Sequence, residues 1–289
     1  MKKKSDIVEN HFVLKTIKNY VGGAFVRSES GRSYALYDGH QRKIAQAPWS
    51  SRKDLRNAVE KAESSHSGWS GHSAFLRSQI LYRLAEMMQS RQIELIDALS
   101  DLELESQPLL YEQLIEATVY YSGFCDKYEA ILSSVNPVSG PHHNVTYCDA
   151  VGIVGVIGVG EHDFLAFWDS VMAALCSGNS VVAVLPEKWS SLVSLLGELF
   201  NNSDFPNGSI NLLCSQKDEL LPVMASHRGL PSMEIVSRAQ SSESKEFEEA
   251  SRLGAEHMKR VHFKGKSTNS LESVKRFLEF KTVWHPTKI

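Results

Sequence analysis

Apolar residues recur every third or fourth position through much of the first half of the chain, but gather in short, nearly continuous runs in the second half. The first ten residues are mostly polar and read as a frayed tail. Tyr20-Val21, Gly22-Gly23 and Ala24-Phe25-Val26 then give strand, turn and strand; a polar turn over 28–33 precedes the extended run Tyr34-Ala35-Leu36-Tyr37. Next the period lengthens. Leu55, Val59 and Ala62 fall at helical spacing, with Asp54 placed to cap the helix. Leu76, Ile80, Leu84 and Met88 repeat every fourth residue, with Arg77, Arg83 and Glu86 on other faces. Ile93, Ile96 and Leu99 begin another amphipathic stretch, and Pro108 separates it from a longer helix running to about Leu132. Residues 136–143 read as a loop.

From Val145 onward strand and helix alternate. Apolar runs at 151–157, 181–185, 210–214, 233–236 and 261–263 are separated by helical patterns at 164–176, 189–200, 216–225 and 242–253. Val- and Ile-rich strands joined by crossover helices predict an α/β fold: a five-stranded, parallel, doubly wound sheet of Rossmann type. The N-terminal region adds helices and small sheet elements. After Phe263 there remain one helix, 271–278, and a final extended stretch, Lys281-Thr282-Val283-Trp284, ended by Pro286. This stretch alternates polar and apolar residues, so one face is suited to burial.

Charge narrows the choice of function. The formal net charge of −3 gives no electrostatic case for nucleic acid or a membrane surface. Met1-Lys2-Lys3-Lys4 is basic, but no apolar run succeeds it. Asp6, Glu9, Asn10 and Lys15 break up the next residues, so neither a signal peptide nor an anchor is expected. No window approaches the roughly 20 apolar residues of a membrane helix. Cys125, Cys148, Cys176 and Cys214 are widely spaced, which fits free, buried thiols in a reducing compartment; a cytoplasmic location is expected.

Candidate motifs are weak. Gly152, Gly155, Gly158 and Gly160 crowd the end of the first parallel strand, yet a G-x-G-x-x-G count from Gly158 meets Asp163 at the third glycine. Close packing and a turn explain these glycines. Gly265-Lys266-Ser267 resembles the end of a phosphate-binding loop, but Arg260 stands where its first glycine belongs. His142-His143 and Glu161-His162-Asp163 lack the spacing that gathers ligands around one ion, so no metal is expected. Cys125, Cys176 and Cys214 sit in apolar surroundings unsuited to a reactive thiolate.

The segments together resemble the aldehyde dehydrogenase superfamily nearly end to end. Asn19-Tyr20-Val21-Gly22-Gly23-Ala24-Phe25-Val26 is similar to its opening strand motif, and 77–88 to its "R…L…LA" helix. Gly152-Ile153-Val154-Gly155-Val156-Ile157 looks like the strand entering its cofactor site. Residues 173–182, Ala-Ala-Leu-Cys-Ser-Gly-Asn-Ser-Val-Val, are similar to "PALAAGNTVV", and 205–211 to "GLPPGVVN". Phe280-Lys281-Thr282-Val283-Trp284 resembles the family's final oligomerisation strand.

The resemblance implies a tail at 1–17, a helical and oligomerisation region at 18–150, a degenerate NAD-binding domain at 151–266, and a closing helix and oligomerisation strand at 267–289. It also locates the departures. Glu161 stands where active relatives place the Asn of "PWNFP", and an acceptor-only carboxylate repels a developing oxyanion. Val184 replaces the Lys that meets the adenosine ribose. Ala239 and Gln240 fall in the degenerate "FTGS" turn, where loss of glycine hinders approach to a pyrophosphate. Lys264 lies near the place of the general-base Glu. The domain that carries the nucleophilic Cys is missing between that segment and the final strand. The pattern resembles most the shortened, non-catalytic half of family 16 aldehyde dehydrogenases.

No catalytic residue and no cofactor are therefore expected, with NAD binding at most weak. The expected function is assembly or regulation, with Thr282, Val283 and Trp284 at an interface to a second copy or a dehydrogenase-like partner. Two alternatives stand beside it: an NAD(P)-dependent aldehyde dehydrogenase completed by another chain, and a nucleotide-binding module.

Overall fold

Residues 14–37, 42–100, 107–159, 164–237, 245–266 and 269–287 are described by the computed structural model. Strands β1 (Lys15–Thr16), β2 (Asn19–Val21), β3 (Ala24–Val26), β4 (Ser33–Tyr37) and β5 (Lys43–Pro48) divide between two sheets. β5 pairs with β1 in parallel and with β4 antiparallel. Residues 14–17 are thus not tail: Lys15 and Thr16 pair with Ala45 and Gln46, and Ile17 is buried with Leu36 and Ala45. Burial of one isoleucine is enough to order a short stretch that looks polar. The β2–β3 hairpin turns on Gly22 and Gly23, both at positive φ, as a two-residue turn of this hand requires.

Ser51, rather than Asp54, caps α1 (Arg52–Ser70). Asp54 is the third residue of a capping box, and its carboxylate accepts from the Ser51 N–H at 2.8 Å. Helices α2 (Ala74–Ser90), α3 (Gln92–Ser100), α4 (Gln107–Phe124) and α5 (Tyr128–Leu132) come next. Pro108 lies in the first turn of α4, where its missing N–H has no helical acceptor to lose.

The stretch read as a loop holds the end of β6 (Ser134–Asn136) and the start of β7 (His142–Ala150). Its polar composition suits strands with a wet face, which hides them from an apolar pattern. Then come β8 (Ile153–Gly158), α6 (Phe164–Cys176), β9 (Ser180–Leu185), α7 (Leu192–Asn201), β10 (Ile210–Cys214), α8 (Lys217–Ser226), β11 (Ser232–Val236), α9 (Lys245–Ala255) and β12 (Arg260–Lys264). The five strands run parallel in the order β12-β11-β8-β9-β10. The β2–β3 hairpin extends this sheet antiparallel beyond β10, so the boundary placed at residue 150 is crossed by the chain's own N-terminal strands. Asparagines make the junction: Asn19 Oδ1 accepts from the Cys214 N–H at 3.0 Å, and Asn211 Oδ1 from the Gly22 N–H at 2.9 Å.

Both faces of the sheet are covered. Val154, Val156, Val181 and Ala183 pack toward α6, while Ile157, Val182, Val184 and Leu213 pack toward α1 and α8. A short α10 (Leu271–Lys275) leads into β13 (Leu278–Pro286), which starts at Leu278, a residue read as helical. β13 pairs antiparallel with β7 over nine residues, and the third sheet has the order β13-β7-β6. No helix among the described residues is long and apolar enough to cross a membrane.

Candidate active-site crevice

The chain leaves β8 toward β9 on one side and returns to β11 on the other. That reversal is a topological switch point at the carboxyl ends of β8 and β11, the place where sheets of this kind hold ligands in a crevice. Val159 N–H donates to Val236 O at 2.9 Å, and Ser237 N–H to Lys264 O at 3.0 Å, so the ladder continues to the crevice floor. Glu161, Ala239 and Gln240 lie outside the described residues. Val184 is described. It is 1% exposed and packs inside the core on the α1 and α8 face, presenting no polar group to the crevice.

The floor's distinctive chemistry is on the α6 face of β11 and β12. Lys264, 4% exposed, donates from Nζ to the Asp169 carboxylate and to Ser273 Oγ at 3.3 Å. Asp169 is fully buried in α6. Among the described residues its Oδ1 has no hydrogen-bond partner, nor has the buried Tyr121 hydroxyl; burial and the Asp169 charge both push that phenol's pKa up. Beside this cluster, Arg276 Nη1 donates to Glu234 Oε1 at 2.8 Å, with Glu234 buried in β11. The His262 ring meets Phe277 edge-on, 6.1 Å between centroids, and burial holds its pKa down.

Glu234, His262 and Lys264 thus form a polar patch, closed by the return segment that carries Ser273, Arg276 and Phe277. Phe277 O ties this segment down, accepting from Val151 N–H at 3.2 Å and Asn179 Nδ2 at 2.9 Å. Sequence reasoning finds Lys264 but misses Asp169 and the Glu234–Arg276 pair. The available signals were a single carboxylate inside an apolar helix and charges at alternate positions of buried strands.

All four cysteines are free and buried. Burial pushes the Cys148 and Cys176 thiols up, and Cys214 up to about 12, which opposes thiolate formation. At the far sheet, Thr282 pairs with Thr146, their Oγ1 atoms 2.8 Å apart, and Val283 pairs with Val145, which faces Val135 on β6. The inner edge of the final strand is therefore satisfied within its own chain. Its outer edge carries no further strand of that sheet among the described residues, and Trp284 is 59% exposed.

A parallel sheet wound both ways from a central strand, with a switch-point crevice, defines an α/β protein on the dinucleotide-binding plan. The chain belongs to the aldehyde dehydrogenase family, whose profile matches residues 25–269. It is 28% identical over 270 residues to human retinal dehydrogenase 2, covering 89% of this chain and 50% of that one. The mitochondrial benzaldehyde dehydrogenase of Antirrhinum majus is 27% identical over 207 residues, 68% of this chain and 38% of that relative. The NAD+ complex of a Bacillus cereus aldehyde dehydrogenase shares the fold, with TM-score 0.77 and 22% identity over 86% of this chain and 50% of that one. The chain spans half or less of the length of these relatives.

Proposed function

We propose that this protein is a non-catalytic assembly or regulatory member of the aldehyde dehydrogenase family. The observation that carries the reading is the return segment. Only residues 265–277 separate the end of β12 at Lys264 from the start of β13 at Leu278, and Ser273, Val274 and Phe277 among them are buried. Acyl-enzyme chemistry needs a thiolate, an oxyanion donor and a general base converging on one carbon. At the floor of this crevice the polar groups instead neutralise one another: the Lys264 ammonium is held by Asp169 and the Glu234 carboxylate by Arg276. The expected result is no NADH production from aldehydes with NAD or NADP. Activity that survives repurification and scales with protein concentration overturns the reading. Activity appearing only on mixing with a second chain favours completion by that chain.

NAD binding is weak or absent in this reading. A solved relative is described as an NAD+ complex, but here Val184 offers core packing in place of an amine. Each lost polar contact costs about 0.5–1.5 kcal/mol, so two or three losses weaken affinity roughly tenfold to a thousandfold. Calorimetric titration finding micromolar NAD affinity favours the nucleotide-binding alternative. The assembly element is the sheet of β6, β7 and β13, with Thr282, Val283 and Trp284 facing a second copy or a dehydrogenase-like partner.

A further inference from the structure

A second concavity lies far along the sheet from the crevice, in the angle between the β2–β3 hairpin and α1. It encloses about 400 Å³, within the range of small-molecule sites. Asn19 forms its floor, Arg27 and Glu29 extend from the hairpin, and α1 contributes Asp54, Asn57, Glu60 and Lys61. At spacings of three and four residues, Asp54, Asn57 and Lys61 share one helix face.

The carboxylates among these residues already have partners. Asp54 Oδ2 accepts from Ser28 Oγ at 2.6 Å and Ser51 N–H at 2.8 Å, and Oδ1 from Glu29 N–H at 3.1 Å. Glu29 accepts from Ser51 Oγ at 3.0 Å and pairs with Lys53 at 3.3 Å. Glu60 pairs with Arg56 at 2.8 Å.

The donors are free. Asn19 is 0% exposed, and its Nδ2 has no acceptor. The amide cannot be turned round to cure this. Its oxygen accepts from the Cys214 backbone N–H, which only donates, and from Ser50 Oγ at 3.0 Å. Among the described residues, neither Arg27 nor Lys61 forms an ion pair with a carboxylate. The concavity therefore presents a buried amide donor and, among the described residues, two cations without an ion pair, while Glu29 and Glu60 are paired with Lys53 and Arg56 and Asp54 is held by neutral donors.

We propose that this groove binds a small anionic metabolite through its oxyanion, a phosphate or a carboxylate, with Arg27 and Lys61 gripping the charge above Asn19. Bidentate guanidinium contact and a point-charge ammonium are the usual protein complement to such groups. Because the walls belong to the hairpin and to α1, the ligand clamps the sheet's N-terminal extension onto the helix. This site is independent of the assembly reading and stands or falls separately.

The test is calorimetric titration of the full chain with inorganic phosphate, pyrophosphate and citrate, at ionic strength matched with chloride. Saturable binding of at least one probe is expected. A preference for the phosphates or for citrate distinguishes the two sources of oxyanion. Arg27→Gln and Lys61→Gln each weaken binding tenfold or more, and the double variant abolishes it. Arg83→Gln, a cation on α2 outside the groove, leaves it unchanged. Asn19→Asp keeps both accepted hydrogen bonds and replaces the donor with a charge, which abolishes binding. Should that variant not fold, the two surface substitutions still decide. No saturable binding of any probe, or equal affinity in the Arg27→Gln/Lys61→Gln variant, overturns the proposal. So does equal weakening by Arg83→Gln, which marks diffuse charge attraction.

Discussion

Asp169 is the lone charge in an otherwise apolar α6, and the Lys264 ammonium is what makes it tolerable there. Asp169→Ala leaves that ammonium buried without a counter-charge, so a loss of about 3–5 kcal/mol is expected in urea denaturation. Asp169→Leu with Lys264→Met removes both charges and restores most of the loss; a double variant as unstable as the single one contradicts this account. Glycine imposes a different constraint. Gly208 has φ +98, and a Cβ there lies 2.6 Å from the Lys61 carbonyl oxygen. Gly208→Ala is expected to cost about 2–3 kcal/mol through backbone strain and forced displacement of α1. A melting temperature equal to that of the unsubstituted protein rules this out.

At the scale of elements, legibility tracks burial. β8, β9 and β10 are readable because they are buried along their whole length and largely apolar, and α6 matches at both ends because its apolar run is bounded by polar residues in the sequence. β6 and β7 escape a sequence reading because one face carries the polar residues Ser134, Asn136, Asn144 and Thr146, which bond one another. The hairpin is visible in the sequence, but its place at the edge of the large sheet is not; that depends on asparagine contacts from Asn19 and Asn211, which no local pattern reports. Val184, singled out in the sequence, packs in the core, and the Lys264–Asp169 pair joins positions too far apart in sequence to be linked by spacing. The register of β13 also decides how its assembly role is tested. Deleting 280–289 strips β7 of most of its partner, so a point change is cleaner. Val283→Glu sets a charge in the cross-strand row of Val135, Val145 and Val283 while leaving the backbone ladder intact. Light scattering is expected to show a drop in oligomeric mass; unchanged mass removes this face from the interface.

For the molecule as a whole, stability should depend on pH in two windows. Burial holds His66, His227 and His262 below the ordinary value of 6.5. The unfolded chain therefore gains protons as pH falls through 6.5 while the folded one resists, so the stability present above that pH is lost on acidification. Lys259 acts at the alkaline side. Desolvation lowers it from 10.5 to about 8, so its charged form is disfavoured in the fold. Its contribution to stability rises between about pH 8 and 10.5, by about 2–3 kcal/mol in all. The raised Cys148, Cys176 and Cys214 thiols lose stability over the same range, so the Lys259 part is read as a difference between melts: Lys259→Met should lose stability more steeply on the alkaline side than the unsubstituted protein, with the acid slope unchanged. The hairpin's position at the far edge of the large sheet has a consequence in time. Asn19 and Cys214, joined by one hydrogen bond, are separated by 195 positions along the chain. At about 5–20 residues per second, the hairpin leaves the ribosome roughly 10–40 s before β10 is made. During that interval its apolar edge is open to any passing strand, and closure over so long a loop is slow. A nascent chain carrying this hairpin is expected to need shielding there, long before β10 is translated.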